Sequence, residues 1–415
     1  MSGIHDVVVV GAGPAGLSAA YTLRRQGLQP LVLEQTPAVG DVWRNHYDGL
    51  RLNTGRYFSR LPGSIIPRSK GAWPERDDVV RMLESFPQRG GFQVHTGVEV
   101  TRIAYESTEQ LWKIEAAAGE PVFARAVVLA VGASRVPVVP EWPGLSTFTG
   151  QVLHSSKFKS ALQYKGKRVL VVGSGNSGAE IASRLSQHAE VVLSVRTPPY
   201  ILPKSVYGIP LPAIGVVLRR LPRALGDRVL AFLQRRFVGD LSPYGVPLPI
   251  GSLSEQFSKT HVTPTLYTPI AADIRAGRVK VVGSVKRFEQ DTVHVAPSVT
   301  APNGPTVTFK PDLIVAATGF RPGLADLVQV PGVTLPTDWP RSGFTGAQVA
   351  LPGLHVIGQV NPLSGQLREI RLEAYRVARS VKRQLKSRGA SKEEAFVSRA
   401  DTMSITADGR ERSAS

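Results

Sequence analysis

The sequence predicts an α/β protein in which two doubly wound parallel-sheet domains are combined in one chain of 415 residues. The same order of strand, glycine-rich turn, helix and second strand occurs twice, in residues 7–34 and again in residues 168–196. The length exceeds what one ordinary hydrophobic core holds, and an apolar content of 42% is that of a globular protein. These observations favour two structural units of the same type.

The first copy begins with four valines, Val7–Val10, which predict a buried strand. Gly11 permits a tight turn, Gly13 lets backbone approach a pyrophosphate, and Gly16 lets the next helix press against the strand. The helix directs its N-terminus at the phosphates. Glu34 ends the second strand, where a carboxylate can hold the ribose hydroxyls of an adenine dinucleotide. The stretch therefore predicts a Rossmann-like dinucleotide-binding unit.

The second copy repeats this glycine spacing at Gly173, Gly175 and Gly178. Arg196 stands 23 residues after Gly173, the same separation that Glu34 has from Gly11. A carboxylate repels a 2′-phosphate whereas a guanidinium favours one, so the first copy suits FAD and the second suits NADPH. The alternative is that Arg196 is an ordinary surface arginine.

The order of the motifs predicts how the two domains share the chain. A strand that leads to a glycine recurs at 125–134, 311–322 and 353–358, and a long helix is predicted from about Gln366 to Lys386. We therefore predict a discontinuous FAD domain of residues 1–159 and 311–388, with an NADPH domain of residues 160–310 inserted in it. Strand patterns at 92–95, 97–103 and 111–116 predict a small antiparallel sheet, and the polar residues 389–415 predict a disordered tail.

Residues 205–260 are predicted to be a helical excursion of the inserted domain. Within them, residues 218–237 are basic and amphipathic, so residues 209–237 either contact a membrane surface peripherally or cover the substrate pocket.

Composition excludes several functions. The 50 Lys and Arg against 32 Asp and Glu give a net charge of +18, which attracts anionic cofactors, acidic substrates or anionic surfaces. Cysteine is absent, which excludes disulfides, cysteine-ligated metals and redox-active cysteine pairs, and we predict no metal site. The basic residues are dispersed, so we expect no specific nucleic-acid partner. Neither a signal peptide nor a transmembrane run is evident, so a cytoplasmic protein is expected.

A segment between the two predicted domains resembles a known signature. Residues 148–158 match F-x-G-x-x-x-H-x-x-x-(F/Y/W) through Phe148, Gly150, His154 and Phe158, and this signature is typical of class B flavoprotein monooxygenases. With both glycine fingerprints and the segments G-D-V-W, L-N-T and A-T-G-F, the likeness covers almost everything from Val7 to about Lys386. The chain is most similar to the flavin-containing monooxygenases, in particular their YUCCA-type branch and its bacterial relatives.

Two departures separate this sequence from the Baeyer–Villiger branch of that class. Baeyer–Villiger members usually end the signature in Trp followed by Pro or Asp, whereas this chain has Phe158 and Lys159. Their Y-P-G-x-R-x-D segment becomes residues 47–53, which end in Asn53 instead of an acid. Both changes favour heteroatom oxygenation over ester formation and leave Baeyer–Villiger oxidation as an alternative.

The resemblance implies two Rossmann-like domains in a glutathione-reductase-like arrangement and the mechanism of the family. NADPH would reduce FAD, and the reduced flavin would capture dioxygen as a C4a-hydroperoxide that oxygenates a small organic substrate. By the same resemblance, Asn53 is the catalytic residue that donates a hydrogen bond at the flavin, because an amide donates without titrating. His154 is expected to orient the linker between the domains.

We assign the cofactor residues accordingly. The FAD residues are Gly11, Gly13, Pro14, Ala15, Gly16, Glu34, Gln35, Val42, Trp43, Leu52, Asn53, Val100, Gly132, Gly358, Gln366 and Leu367. The NADPH residues are Gly173, Ser174, Gly175, Asn176, Ser177, Gly178, Arg196, Thr318 and Gly319.

The alternative enzyme class is a reductase that passes electrons from NADPH through FAD to a protein or a quinone, and the signature at 148–158 argues against it. A non-enzymatic flavin-binding module recruited to a membrane or to nucleic acid is a third possibility. The substrate is left open among amines, sulfides and 2-oxo acids, as is the oligomeric state.

Overall fold

A computed structural model describes residues 3–218, 220–246, 248–249, 251–260, 263–300, 303–330, 351–359 and 364–408. Within these ranges the strands are β1 (Ile4–Val10), β2 (Pro30–Glu34), β3 (Gln93–Thr96), β4 (Val100–Glu106), β5 (Leu111–Ala116), β6 (Val122–Leu129), β7 (Val136–Pro137), β8 (Gln151–His154), β9 (Arg168–Val172), β10 (Glu190–Ser194), β11 (Ser205–Val206), β12 (Ile209–Pro210), β13 (Val279–Val282), β14 (Val285–Glu289), β15 (Thr292–Val295), β16 (Val307–Phe309), β17 (Leu313–Ala316), β18 (Phe320–Arg321), β19 (Val328–Gln329) and β20 (Leu354–Val356).

The α-helices of the same ranges are α1 (Pro14–Arg25), α2 (Asp41–Arg44), α3 (Arg76–Glu84), α4 (Phe86–Gly90), α5 (Asn176–Leu185), α6 (Leu211–Leu218), α7 (Arg223–Phe237), α8 (Leu253–Thr260), α9 (Pro269–Arg275) and α10 (Gln366–Asp408). Short 3₁₀ helices cover Arg56–Ser59, Arg68–Lys70, Leu145–Thr147, Ser155–Lys157, Ala161–Tyr164 and Ser242–Tyr244. No helix of the described chain combines the length and the apolar character that crossing a membrane requires.

The first sheet has eight strands, with β1 near its centre. The strand order is β19-β4-β5-β6-β1-β2-β3, and β20 also pairs with β6. Strand β1 runs parallel to both β2 and β6, and Val7–Val10 are almost fully buried. Helices α1 and α10 cover one face, where small side chains allow close packing and the Thr22 hydroxyl donates to the carbonyl of Ala374 at 3.0 Å. Both ends of the chain therefore build one layered unit, and the predicted α/β fold is confirmed.

The second sheet has five parallel strands in the order β13-β10-β9-β17-β8. Strands β8 and β17 belong to this sheet, although the predicted boundaries at 160 and 310 put both of them in the other domain. The two strands pair with each other and β17 pairs with β9, so their partners are distant in sequence and a local pattern does not reveal them. The division into FAD and NADPH domains remains a prediction, and these pairings move its boundaries to about 151 and 316.

Two further elements differ from expectation. Strands β4, β5 and β6 form the expected antiparallel run, but β3 pairs parallel with β2 at the opposite edge of the first sheet. Helix α10 continues to Asp408, beyond the predicted end at Lys386 and into the predicted disordered tail. No proline follows residue 362 to interrupt it. Residues 409–415 of the predicted tail lie outside the described ranges.

The glycine turns are the tightest backbone contacts of both units. Gly11 and Gly173 have positive φ, and a Cβ on either residue would lie within 2.6 Å of the carbonyl oxygen of Ala130 or Ala317, the residue that follows a neighbouring strand. A Cβ on Gly16 would lie 1.8 Å from the carbonyl oxygen of Gly11, and one on Gly178 would lie 1.9 Å from that of Gly173. These positions admit only glycine, because the helix rests directly on the turn.

Gly178→Ala and Gly175→Ala form a matched pair that tests this geometry. We expect Gly178→Ala to lower the free energy of unfolding by about 3 kcal/mol, since backbone must move to admit the methyl group. A Cβ on Gly175 meets no atom within 4 Å, and its φ of −67° suits any residue, so Gly175→Ala should stay within about 1 kcal/mol of the wild type. Urea unfolding of both proteins measures the difference, and equal stabilities would refute the close approach.

Candidate active site

Each glycine turn stands at the carboxyl end of a central strand and begins a helix. Gly13 is the N-cap of α1 and Gly175 is the N-cap of α5. A Cβ placed on either glycine would meet no atom within 4 Å, so the space beside each turn is open. Unpaired backbone N–H groups and the positive end of the helix dipole meet there. The two turns thus have the space and the polarity that a pyrophosphate requires.

The carboxylate of Glu34 lies directly beside the first turn. It accepts hydrogen bonds from the backbone N–H of Ala12 at 2.6 Å and from the N–H and hydroxyl of Thr36 at 2.9 and 2.8 Å. The side chain is buried, and these donors fix its orientation. The predicted acid is therefore held next to Gly13, and Gln35 after it is exposed.

The second copy is one residue shorter than the first, which corrects the register used for Arg196. Val10 pairs with Leu33, whereas Val172 pairs with Ser194, so the counterpart of Glu34 is the buried Val195. Arg196 corresponds to Gln35 and is exposed just beyond the sheet. The predicted register is wrong by one position because α5 is two residues shorter than α1, while the connection from the helix to the paired strand is one residue longer. Arg196 still follows the strand end of the second unit.

A third loop, after β20, reaches the first turn. A Cβ on Gly358 would lie 2.7 Å from the Cβ of Ala15, so the loop touches the start of α1. Both amide atoms of Gln359 are buried without a hydrogen-bond partner among the described residues. Buried amide groups are normally paired, so a polar group that binds here fits this side chain. Gln366 Nε2 donates to the carbonyl of Gly358 at 3.4 Å, and Leu367 packs in the core.

Glu373 supports the same loop from helix α10. Its buried carboxylate accepts the N–H of Gly358 at 2.9 Å. Burial raises the pKa of Glu373 to about 7, although the bond from Gly358 opposes the shift. The nearby Glu369 raises it further and Arg376 lowers it.

The remaining predicted FAD residues separate into two groups. Trp43 is half-buried against His46, with ring centroids 5.5 Å apart, and Leu52 is in the core. Val42 is 59% exposed, Val100 packs in a core cluster of the first sheet, and Gly132 turns the chain after β6 with positive φ. For all five residues, contact with FAD stays a prediction.

A buried ionic network joins the loop at residues 45–53 to helix α5. The Tyr47 hydroxyl donates to Glu180 Oε2 at 2.7 Å, and the Arg184 guanidinium donates to Glu180 Oε1 at 2.9 Å. Arg184 also donates to the carbonyls of Asp48 and Gly49 at 3.0 and 2.8 Å. Burial and the Glu180 carboxylate raise the pKa of the Tyr47 phenol far above its ordinary value, so the phenol stays a donor.

This docked loop brings Asn53 to the second glycine turn. Asn53 Nδ2 lies 3.4 Å from Asn176 Oδ1, and that oxygen also accepts the N–H of Leu266 at 2.7 Å. Asn176 Nδ2 donates to the carbonyl of Pro264 at 3.1 Å, and the Thr265 hydroxyl donates to the carbonyl of Ser174 at 2.8 Å. The structure thus unites a predicted catalytic residue and a predicted NADPH residue, while Ser177 beside them is exposed.

The linker signature has a structural basis. His154 is buried, its Nε2 lies 3.0 Å from the carbonyl oxygen of Gly319, and its Nδ1 accepts the N–H of Ser156 at 3.2 Å. These partners assign the proton to Nε2, and burial lowers the pKa of His154 while the Gly319 bond opposes that shift. The Thr318 hydroxyl donates to the carbonyl of Val138. His154 therefore anchors the turn at Gly319, as an orienting residue would.

The three other signature residues pack. Phe158 is 1% exposed, and its ring centroid lies 6.3 Å from that of Tyr47 and 6.0 Å from that of Tyr164. Phe148 packs on Phe288, with ring centroids 5.5 Å apart. The Phe148 ring also fills the space that a Cβ on Gly150 would occupy.

Sequence reasoning missed three participants. The sequence assigned no role to Glu180, which is 6% exposed, and the segment 264–266 carries no motif that links it to Asn176. Lys204 is half-buried, with its ammonium 4.5 Å from the centre of the Trp73 ring. Burial lowers the pKa of Lys204 to about 8, with Glu180 raising it and Arg51 lowering it. The run of prolines around Lys204 was the one available signal of an ordered loop.

The two units, each with a glycine turn that begins a helix, define the fold as that of a two-domain α/β oxidoreductase. A family model described as pyridine nucleotide-disulphide oxidoreductase matches residues 8–206. The chain is 33% identical over 321 residues to the indole-3-pyruvate monooxygenase YUCCA1 of Oryza sativa subsp. japonica, and the match covers 77% of each chain. It belongs to the class B flavin-containing monooxygenases.

Solved structures agree with this assignment. A flavin-containing monooxygenase from Stenotrophomonas maltophilia is similar at 25% identity with a TM-score of 0.66, over 91% of this chain and 98% of that one. A complex of OTEMO with FAD and NADP shares the fold at 20% identity, with a TM-score of 0.69 over 94% of this chain and 86% of that one. The protein is a flavin monooxygenase whose cofactors are FAD and NADPH.

Glu373→Gln tests the buried carboxylate that supports the loop after β20. With a pKa of about 7 in the folded state against 4.5 when unfolded, the folded protein binds the extra proton between these pH values, so stability falls as pH rises through them. Gln keeps an acceptor for Gly358 and carries no proton equilibrium. Relative to the wild type, the variant should gain about 3 kcal/mol between pH 4.5 and pH 8.

Urea unfolding of the FAD-loaded proteins at both pH values measures this gain. Glu289→Gln, at an exposed position, is the control and should show no such pH-dependent gain. A difference between Glu373→Gln and wild type that is constant with pH would contradict the raised pKa.

Proposed function

We propose that the protein transfers one atom of dioxygen to a small organic substrate in the cleft where Asn53 meets Asn176. The observation that carries this proposal is the 3.4 Å approach of these two amides, one from each nucleotide-binding unit. Asn53 is the position that the family resemblance assigns to catalysis, and Asn176 begins the helix of the second glycine turn. Their meeting supports a site where both cofactors act on one substrate.

The two cofactors are assigned to different turns. Gly11, Gly13, Gly16 and Glu34 would hold FAD, and Gly173, Gly175, Gly178 and Arg196 would hold NADPH. FAD, once reduced by NADPH, supplies the activation of dioxygen. The buried and unpaired amide of Gln359 beside the first turn fits a polar ligand there.

The chain itself positions donors and excludes water. The Asn53 amide donates without titrating, and its partner Asn176 is held by the backbone of Pro264 and Leu266, so the donor points in one direction. Tyr47 and Phe158 are buried and pack together behind the loop that carries Asn53, so they would keep water out of that side of the cleft. Exclusion of water would strengthen polar interactions in the cleft. A fixed donor in a dry cleft is what an oxygen-transfer step requires.

Helices α6–α8 would enclose the substrate. They surround a cavity of about 340 Å³ whose lining is mainly apolar, and Pro264 forms part of its wall. Because the carbonyl of Pro264 accepts a hydrogen bond from Asn176, this cavity borders the proposed site. This favours a covering role for residues 209–237 over the membrane contact considered from the sequence.

We infer oxidative decarboxylation of a 2-oxo acid as the reaction, since the similar rice protein is named an indole-3-pyruvate monooxygenase. In such a reaction, the 2-oxo acid, dioxygen, NADPH and one proton give the shortened carboxylate, carbon dioxide, water and NADP⁺. The bond between the carbonyl carbon and the carboxyl carbon breaks, and a new carbon–oxygen bond forms at the carbonyl carbon. Incubation with an aryl pyruvate under ¹⁸O₂ should place one labelled oxygen in the aryl acetate product. NADPH oxidation without label in any product would favour a reductase.

Asn53→Ala should uncouple NADPH oxidation from oxygenation. We expect the variant to retain FAD and to consume NADPH, while product formed per NADPH falls at least about tenfold and hydrogen peroxide rises, because the fixed donor is lost. Product and peroxide assays on one reaction give the ratio. Asn45→Ala removes an exposed amide of the same loop, bonded to Asp41, and should remain coupled. Normal coupling in Asn53→Ala would refute the role of Asn53.

Arg196→Ala should weaken NADPH and spare NADH. Loss of a charged contact to the 2′-phosphate predicts a KM for NADPH about tenfold higher, with the KM for NADH unchanged. The KM of Arg196→Lys for NADPH should lie between those of the wild type and Arg196→Ala, because lysine keeps the charge and loses the planar guanidinium. An unchanged preference between the coenzymes would show that Arg196 is a surface arginine.

A further inference from the structure

Lys204 belongs to the second unit and lies where that unit meets the first, beside Trp73. The preceding residues are tied to the segment beside Asn176, since the N–H of Leu202 donates to the carbonyl of Thr265 at 2.9 Å. The carbonyl of Lys204 accepts the N–H of Leu211, the first residue of α6. The Lys204 ammonium projects over the ring of Trp73 at 4.5 Å. This side chain therefore spans from the helical cover to the first unit.

Backbone hydrogen bonds align the segment of Trp73 with the segment that contains Asn53. The N–H of Leu52 donates to the carbonyl of Pro74 at 2.9 Å, and the N–H of Arg56 donates to the carbonyl of Ala72 at 2.8 Å. Residues 72–74 therefore run alongside residues 52–56, with Trp73 opposite the Asn53 segment. From the other side, the segment before Lys204 is bonded through Leu202 to Thr265, whose hydroxyl donates to the carbonyl of Ser174 in the second glycine turn at 2.8 Å. Both relations locate Lys204 at the margin of the proposed site.

The charge of Lys204 has no acidic partner within 4.0 Å among the residues that the structure describes. The oxygens of Glu180 accept from Tyr47 and Arg184, and Arg51 pairs with Glu75. A half-buried ammonium with only an aromatic face beside it has lost water without gaining a counter-ion. This cost is seen in its lowered pKa, and an incoming anion would offset it.

We propose that Lys204 binds the carboxylate of the substrate and makes this monooxygenase selective for anionic over neutral substrates. The proposal rests on the proposed function for the site but not on the fate of the carboxylate. Trp73 holds the ammonium in place and offers a flat apolar surface beside it. The apolar cavity among helices α6–α8, whose wall includes Pro264, would take the uncharged part of the substrate. An acidic substrate with an aromatic or aliphatic body fits this combination.

The test measures binding of phenylacetate to the oxidised, FAD-loaded enzyme with NADP⁺ present, by the change in flavin absorbance. Thioanisole, a neutral molecule with an aromatic ring, is the second probe and is followed as an oxygenated substrate. Lys204→Met removes the charge and keeps the length of the side chain, and Lys204→Arg keeps the charge. Lys280→Met removes an exposed lysine of β13, bonded to Glu190, and controls for the loss of one positive charge.

We expect Lys204→Met to raise the Kd of phenylacetate at least about tenfold and to leave the KM for thioanisole within about twofold. Lys204→Arg should retain most of the binding, and Lys280→Met should match the wild type. Equal weakening of both probes in Lys204→Met, unchanged phenylacetate binding, or no binding to the wild type would each overturn the proposal.

The same experiment separates this proposal from the proposed reaction. Selective loss of phenylacetate binding in Lys204→Met, together with wild-type enzyme that oxygenates thioanisole but not an aryl pyruvate, would support the role of Lys204 and reject oxidative decarboxylation. If the wild type converts the aryl pyruvate and Lys204→Met converts it equally well, the result would support oxidative decarboxylation and reject the role of Lys204.

Discussion

The buried carboxylate of Glu180 is the constraint on which the geometry of the cleft depends. A buried anion is costly unless charged and polar donors surround it, and here the donors are Tyr47, from the other unit, and Arg184, from the same helix. Arg184 also binds two carbonyls of the loop that carries Tyr47. Displacement of this loop would take the Tyr47 donor away from the buried Glu180 carboxylate and two carbonyl acceptors away from Arg184. The loop is therefore fixed against α5, and Asn53, six residues after Tyr47, is fixed with it.

The two glycine turns show how one packing constraint produces two different sites. In both copies the helix rests on the turn so closely that Gly16 and Gly178 have no room for a side chain. That contact fixes the position of the helix N-terminus but not the length of the connection to the second strand. A connection one residue shorter replaces the buried acid Glu34 by the buried Val195 and moves the next polar position, Arg196, outside the sheet. The residue that ends the second strand is thus set by the length of this connection, which the turn itself does not constrain.

The sequence predicted what local patterns determine. The valine run of β1, the glycine spacing, the helix after each turn and the signature at 148–158 are all short-range features, and the structure contains them. It did not predict that β8 and β17 belong to the second sheet or that β3 lies at the edge of the first, because parallel partners are chosen by packing between distant segments. The contact of Asn176 with Pro264 and Leu266 joins residues about 90 positions apart and has the same origin.

The strong positive charge of the chain is a poor guide to its binding sites. Many of the cations pair at the surface, as Arg168 does with Asp312 and Arg125 with Asp6, and such exposed pairs contribute little stability. What marks a site is a cation that has lost water without gaining an acid, and composition cannot reveal that state. Lys204 meets this criterion because the fold has already used the nearby carboxylates of Glu180 and Glu75 for other arginines and a tyrosine. Selectivity for an anion would then follow from which side chains pair with the carboxylates near Lys204, rather than from the number of basic residues.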